Sequence, residues 1–422
     1  MNTSTTVNSH QKSKRYFKYM IFILMFVEIL DTYTTNNLNV VVSDISAEFF
    51  PFLAEDAAIA FYQLFLAIAT LGMFFVIVNQ YLTDKFGRKL LLVITIFGMG
   101  FFSLLISLST NIYLFTIFLF FMYFFFNSDI WVIFINEESP PKKRAFYTNF
   151  VLIGGIVGAL LIPFFHSIIM DWRGMTYFAI ALGIPLSMVV LFSFKETSKY
   201  QEYKTSNRSL NQHNNSFRAN LKSIFISKRK SQYIAILIIS LIVGLNNLFI
   251  LVGEDFLTGS ALSKDDVDLI VWIMGLASIV GYLITGIVAD KYGRKPLLYL
   301  YSILFPTSLF IVVFGINLPE GALIVVAIGA GLANLCYWGF RILISIVSLE
   351  IVPTEARGTG TGVKSLVAAS GVTIGLLISF FITFSSGLAL SFVILSSLFL
   401  INIPLIYKYL KETKGINLSD IY

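Results

Sequence analysis

The stretch TDKFGRK, Thr83–Lys89, returns about two hundred residues later as ADKYGRK, Ala289–Lys295. Each copy closes one long apolar segment and opens another, so its basic cluster sits where a membrane hairpin turns. A second pair, EESPPKKR at Glu137–Arg144 and EIVPTEAR at Glu350–Arg357, has nearly the same separation. Landmarks repeated at one offset mean an internal duplication, the usual construction of a protein that moves solutes through a bilayer.

Composition fixes the class. The chain is 57% hydrophobic and 13% charged, with 42 Phe and a mean hydropathy of +0.81, too little polar surface to coat a soluble globule. The net charge of +6 comes from residues in short loops between apolar segments, where positive charge marks the cytoplasmic side, so nucleic acid is excluded as a partner. One cysteine, Cys336, permits no disulfide within the chain, and three scattered histidines offer no metal cluster; neither metal nor cofactor is expected. No glycine-rich phosphate loop is present, so the chain is expected to be neither an ATPase nor any other enzyme.

Spans of roughly 20 apolar residues are needed to cross a core of about 30 Å. Twelve fit: 17–43, 57–83, 89–109, 112–136, 146–170, 174–194, 231–253, 267–289, 296–317, 321–349, 359–384 and 387–410. The expected fold is therefore all-α, with twelve transmembrane helices in two pseudo-symmetric six-helix bundles. Residues 1–16 read as a polar tail without a cleavage site, 17–194 as the first bundle, 195–230 as a mobile linker, 231–410 as the second bundle and 411–422 as a tail. Lys12, Lys14, Arg15, Lys18, the two DKxGRK loops and Lys142–Arg144 fall on one side, whereas Asp44, Glu48, Glu55, Asp56, Glu254, Asp255, Asp265, Asp266 and Asp268 fall on the other. Both termini are thus expected in the cytoplasm of a plasma-membrane protein.

With these motifs in place the chain resembles the major facilitator superfamily. The two DKxGRK loops match its turns between helices 2 and 3 and between helices 8 and 9. The ExxPxxxR pairs, the WRG at Trp172–Gly174, the KETSKY from Lys195 and the KETKG of Lys411–Gly415 point to its sugar porters and metabolite–proton symporters. LDTYTTNNLNVVVSDI in the first span partly resembles the aromatic-acid and organic-ion branch, with Thr32 and Thr34 replacing its Gly and second Asp. Gln80 stands where the family has a glycine before the first loop, while Gly286 keeps it in the second. The resemblance implies a cytoplasmic gate of Asp84, Arg88, Glu137, Arg144, Asp290, Arg294, Glu350 and Arg357; their spacing also suits a latch between the halves, or mere fixing of topology.

Ionisable groups at mid-bilayer cost about 3 kcal/mol or more and persist only with a partner or a wet cavity. Arg341 precedes Glu350 by nine residues, placing it roughly 13 Å into its span at 1.5 Å per residue. Asp129 lies at similar depth in the equivalent helix of the first half, and Glu28 and Asp31 share one face of the first span. The resemblance implies that helices 1, 4, 7 and 10 line a central cavity, and these four charges lie on helices 1, 4 and 10. Arg341 can fork two hydrogen bonds to a carboxylate. Desolvation favours the protonated form of a carboxylate, so Asp31, Glu28 or Asp129 suits a proton carrier; a static pair of Arg341 with one of these acids is the alternative.

Tyr33, Asn36, Asn127, Asn246, Asn247, Tyr337 and Trp338 complete the expected substrate contacts. Trp338 does not stand at the sugar porters' usual stacking position. Their helix 4 arginine is replaced by Ile117, which shifts weight from a neutral hexose to an anion. GGIVGALLIP, Gly154–Pro163, offers small residues for close packing but lacks the Gly-Pro pair of drug–proton antiporters, and His166 reads as interfacial. The expected function is secondary active transport by alternating access, as proton-coupled symport of a small organic anion or sugar-like metabolite. A sugar uniporter or symporter, and a membrane sensor that binds without translocating, are the alternatives. The expected partners are that solute, protons and lipid, with the chain acting as a monomer.

Overall fold

The computed structural model describes residues 3–125, 130–138, 144–169, 171–198, 201, 217–260, 262–318, 322–352 and 357–413. Among the described residues twelve helical segments run between an acidic and a basic face. We label them α1 (Thr3–Asn36), α2 (Glu55–Thr70, carried on by Leu71–Phe75 and Val76–Phe86), α3 (Arg88–Ser107), α4 (Ile112–Phe125 and Ile130–Glu138), α5 (Arg144–His166) and α6 (Trp172–Thr176, then Tyr177–Ser193). The second half has α7 (Lys230–Leu245 and Leu248–Thr258), α8 (Lys264–Tyr292), α9 (Arg294–Gly315), α10 (Ala322–Ile351), α11 (Arg357–Ser386) and α12 (Leu388–Ser397, Leu398–Ile401, Asn402–Tyr409). Among the described residues nine stretches are long and apolar enough to cross a membrane, and Ile112–Phe125 and Phe150–His166 add shorter apolar helices.

Packing repeats with the sequence. In the first half α1 lies on α5, α2 on α4 and α3 on α6; in the second α7 lies on α11, α8 on α10 and α9 on α12. Between the halves α2 packs on α11 and α5 on α8. The two DKxGRK turns take the same shape. Gly87 and Gly293 have φ of 108° and 103°, a region open to glycine, and their N–H groups close onto Thr83 and Ala289.

Small residues decide how near α5 comes to α1. A Cβ added at Gly154 would meet the Met25 carbonyl oxygen at 2.5 Å, and one at Gly158 the Ile29 oxygen at 2.6 Å. This backbone approach is the packing that GGIVGALLIP foreshadows. Gly286 behaves otherwise: a Cβ there would meet nothing within 4 Å, so the glycine kept in the second copy is not a packing contact.

Three boundaries differ from the sequence reading. α1 begins at Thr3, inside the stretch read as a tail, because that stretch holds neither glycine nor proline to stop a helix. It ends at Asn36 rather than 43, giving way to a turn at Asn37–Val40 and a short helix, Val42–Phe49, on the acidic face. Phe217–Ile226, read as linker, forms a helix that buries Ile224 beside Gly360 at the start of α11.

The glycine contacts predict opposite outcomes for two substitutions. Gly158→Leu should cost about 1–3 kcal/mol through overpacking. Gly286→Ala should be neutral or stabilising, since alanine is the better helix former. Thermal unfolding of the detergent-solubilised protein, followed by loss of the monodisperse size-exclusion peak, measures both; equal behaviour of the two variants would refute the assigned packing.

Candidate functional site

The first-half triplet Asn36-Asn37-Leu38 recurs in the second half as Asn246-Asn247-Leu248, and at both places the helix breaks. Asn36 leaves the helical region at φ −126°, ψ −9°, and Asn246 at φ −90°, ψ 6°. Each first asparagine turns its Nδ2 back onto the carbonyl four residues earlier: Asn36 onto Thr32 at 2.9 Å and Asn246 onto Ile242 at 2.9 Å. The side chain thereby competes with the backbone for the helical acceptor, the known way Asn ends a helix. The second asparagine reaches a neighbour. Asn37 Nδ2 donates to the Met175 carbonyl at 2.8 Å, and Asn247 Oδ1 accepts from the Tyr337 hydroxyl at 2.7 Å. Discontinuous helices at equivalent places in two repeats are where carriers place their ligand sites.

Near the break in α7 lies an aromatic cluster carrying the cation of α10. The Arg341 guanidinium sits 5.1 Å from the centroid of the Trp338 ring; that ring packs on Tyr282 of α8 at 5.7 Å and edge-on to Tyr337 at 5.5 Å. A cation over indole is attracted by the ring's negative face. The Tyr282 hydroxyl lies in the fields of both Arg341 and Glu28. Glu28 belongs to α1 of the other bundle, is only 8% exposed and packs against Gly155 of α5. A buried acid of the first half and an exposed arginine of the second thus both act on one tyrosine.

Lys364 of α11 was not anticipated, because it stands near the end of its span among glycines and threonines and resembles a loop charge. It is buried, and its Nζ donates to Ser345 Oγ at 2.7 Å, one helical turn from Arg341 on α10. The second half therefore presents two cations along one course toward the basic face. At mid-depth the bundles join through the buried hydroxyls of Thr70 on α2 and Thr373 on α11, 2.7 Å apart.

The remaining expected residues separate. Tyr33 is fully buried inside the first bundle, its hydroxyl on the Met175 carbonyl at 2.7 Å and its ring against Phe165 and Phe178. Asn246 is buried with its amide on its own helix. Neither joins the cluster, whereas Tyr337, Trp338 and Asn247 do. Asn36 serves the break in α1, and Asp31 is half-buried a turn from Glu28. Asn127 and Asp129 lie outside the described residues, as do the side chains of Asp84, Glu137, Arg144, Asp290 and Arg357.

On the basic face the contacts described for the gate charges lie inside their own bundle. Arg88 donates to the Thr83 carbonyl at 3.2 Å and Arg294 to the Ala289 carbonyl at 3.1 Å, and Arg294 also pairs with Glu350 at 3.2 Å. The repeated KET supplies what the charge reading missed. Glu196 accepts the backbone N–H groups of Arg88 and Lys89, and Glu412 those of Arg294 and Lys295. A helix that begins with two cations opposes its own dipole, and a carboxylate on its first N–H groups offsets that.

The acidic face joins the bundles. Ser43 Oγ of the first half donates to Glu254 Oε1 of α7 at 3.3 Å, and His166 Nδ1 of α5 meets Asp268 Oδ1 of α8 at 2.9 Å. His166, read as merely interfacial, therefore faces a specific partner. Beside these contacts Glu48 receives both Arg173 nitrogens at 2.6 Å and the Trp172 Nε1 at 2.8 Å, which fastens the short helix Val42–Phe49 to the start of α6.

A sequence profile of the Major Facilitator Superfamily matches residues 21–259 and 233–419. The chain is 25% identical to the sialic acid transporter of Escherichia coli (strain K12) over 334 residues, 75% of this chain and 76% of that protein. It is 22% identical over 268 residues to the facilitated trehalose transporter of Bombyx mori, 55% of this chain but only 52% of that protein, so about half of that relative is spanned. Among solved structures, a D-xylose–proton symporter superposes with a TM-score of 0.76 at 16% identity over 95% of this chain and 100% of its own. The inward-open form of the xylose transporter of E. coli gives 0.73 at 16% identity over 96% and 99%. At these identities the structural likeness carries the fold.

The Glu48 cluster predicts a pH dependence. Hydrogen bonds from Arg173 hold the Glu48 carboxyl below its ordinary 4.5, with Trp172 acting in the same sense against partial burial. A lowered value means the stabilisation is complete above 4.5 and lost as pH falls through the folded-state value. Glu48→Gln should therefore lower thermal stability at neutral pH, by at most about 1 kcal/mol for so exposed a pair. The gap to the parent should close on acidification; a gap that persists at the lowest pH would contradict the assignment.

Proposed function

The chain belongs to the Major Facilitator Superfamily, and from that premise we propose that it is a secondary active transporter coupling protons to the entry of a small organic anion. The observations that carry this reading are the buried Glu28 of the first bundle and Arg341 of the second, stacked over Trp338 against Tyr282, whose charges both act on the Tyr282 hydroxyl. An acid on one bundle and a cation on the other that act on one hydroxyl form an electrostatic site whose strength depends on how the halves come together. Rocking of the bundles about that site is the motion the duplicated fold permits.

Arg341 is assigned the substrate. Its guanidinium remains charged and can grip a carboxylate with two parallel hydrogen bonds, while Trp338 beneath it fixes its direction. Tyr337, held by Asn247, and Tyr282 offer stacking and hydroxyl contacts to the rest of the solute. Lys364 beyond them continues the attraction for an anion toward the basic face. Glu28 is assigned the proton in preference to the half-buried Asp31, because it is buried and its charge acts with that of Arg341 on Tyr282. Protonated, it leaves Arg341 to the anion; ionised, it competes for that charge. Proton and substrate therefore bind together, which is coupling in its simplest electrostatic form.

One relative supports this class of solute, while the others are named for the neutral sugars trehalose and xylose. The first is named for sialic acid, a sugar that carries a carboxylate, so a sugar acid unites the two chemistries expected from the sequence. We place the acidic face outside and both termini inside, since the basic loops lie together as the positive-inside rule requires. A monomer in the plasma membrane meets every requirement of the site. The half-spans read as 17–194 and 231–410 are the proposed moving units.

Uptake into proteoliposomes with and without an inward proton gradient tests this proposal. The parent should accumulate a carboxylated sugar above equilibrium only with the gradient. Arg341→Ala should reduce anion uptake by 10-fold or more, the order of one charge-assisted hydrogen bond of roughly 1.5–3 kcal/mol. Glu28→Gln should retain exchange and lose gradient-driven accumulation. Equilibration without accumulation in the parent would mean a uniporter, and binding without flux a sensor.

A further inference from the structure

The acidic face concentrates carboxylates between the bundles, and two of them are buried. Asp255, 1% exposed, and Glu254, 5% exposed, end α7. Asp255 lies in the fields of Glu254, Glu55, Asp56 and Asp44. Glu254 Oε1 accepts from Ser43 across the interface and from Thr258 in its own helix, whereas Glu254 Oε2 and Asp255 Oδ2 are buried without a hydrogen-bond partner. The first bundle presses on this end of α7. A Cβ at Gly259, just beyond it, would meet Glu55 Oε1 at 2.6 Å.

The charged groups on the neighbouring described elements are these. The short helix Val42–Phe49 brings Asp44 and Glu48, of which Glu48 is held by Arg173. α2 brings Glu55 and Asp56; α8 brings Lys264, Asp265, Asp266 and Asp268, with Asp268 on His166 and Asp266 on the Ser263 cap. The turn Asn37–Val40 and the acidic-face ends of α11 and α12 carry no charge. Among the described residues Lys264 and His166 are thus the nearby positive groups outside the Glu48–Arg173 pair, fewer than the carboxylates facing one another. Buried carboxylates in mutual repulsion cannot all be ionised at once. A hinge precedes them: Val252 leaves the helical region at φ −136°, ψ 17°, so the segment bearing the pair is separate from the rest of α7.

We propose that Glu254 and Asp255 form a proton-binding site that holds the acidic face shut, and that loss of its proton to that side releases the outer segment of α7 and opens the face. Protonation neutralises the two buried carboxyls and removes their repulsion with each other and with Asp44, Glu55 and Asp56. Deprotonation of the closed form leaves at least two buried negative charges facing three more, which separation of the bundles relieves. The His166–Asp268 contact acts in the same sense, because a protonated imidazole strengthens it. This site is distinct from Glu28 and rests on the alternating-access reading. It assigns acid outside the cell to the closed outer face and neutral pH to the open one.

The test reads distance rather than flux. Spin labels at Leu108→Cys and Asn317→Cys, exposed positions on the acidic-face ends of α3 and α9, report the separation of the bundles in lipid nanodiscs, with native Cys336 buried. Raising pH from about 5 to about 8 should shift the parent toward the longer distance. The neutral pair Glu254→Gln/Asp255→Asn should stay at the shorter distance throughout, and Asp255→Asn alone serves if the pair misfolds. A parent distribution that ignores pH, a response that follows sodium instead, or one that survives in the neutral variants but vanishes in His166→Gln would overturn the proposal. A protein that opens with pH yet moves no anion would refute the transport reading and leave this latch standing.

Discussion

A bilayer offers no water to a broken helix, so every backbone group released there must find a partner within the protein. That constraint shapes the centre of this molecule. α1 and α7 break at equivalent asparagine pairs, and at each break the first amide returns to a carbonyl of its own helix while the second links to a neighbour. The link from Asn247 holds Tyr337, which packs on Trp338, which carries Arg341. Satisfying the backbone and placing the cation are therefore one arrangement.

The two faces use charge differently. On the basic face Glu196 and Glu412 cap the helices that follow the DKxGRK turns, and Arg294 pairs with Glu350. These contacts make each bundle stiff. On the acidic face Ser43 with Glu254 and His166 with Asp268 span from bundle to bundle, and such contacts must break when that face opens. Backbone approach between α1 and α5 stiffens the first bundle further. Rigid bundles with breakable contacts between them are what rocking requires, since a soft bundle would absorb the motion before it reached the site.

The membrane class, the twelve spans and the duplication were legible in the sequence because hydropathy and repeated loop charges obey the bilayer directly. The placement of Arg341 within a span was legible for the same reason, as a cation has no cheap explanation in an apolar segment. The helix breaks were harder. Asparagine reads from sequence as a ligand contact or an interhelical bridge, and only the repetition of the Asn-Asn-Leu triplet signals a backbone role. Tyr33 misleads in the same way: a tyrosine amid threonines and asparagines resembles a cavity wall, yet its hydroxyl closes a carbonyl inside the bundle. Lys364 and Glu254 escaped because each lies near a span end, where charge is ordinary; burial, which sequence does not report, makes them unusual.

Glu28 and Arg341 attract one another across the gap, and the strength of that attraction depends on how much water enters it. On the proposed assignment of the proton to Glu28 and the anion to Arg341, water entering between the bundles screens the pair and lets each take its ligand. As the gap closes, screening falls, and an ionised Glu28 would draw Arg341 away from the solute. A protonated Glu28 cannot, so closure around a bound anion is favourable only after the proton has arrived. The order of events follows from the dielectric of the gap rather than from any dedicated switch residue, and it makes a leak of anion without proton the disfavoured path.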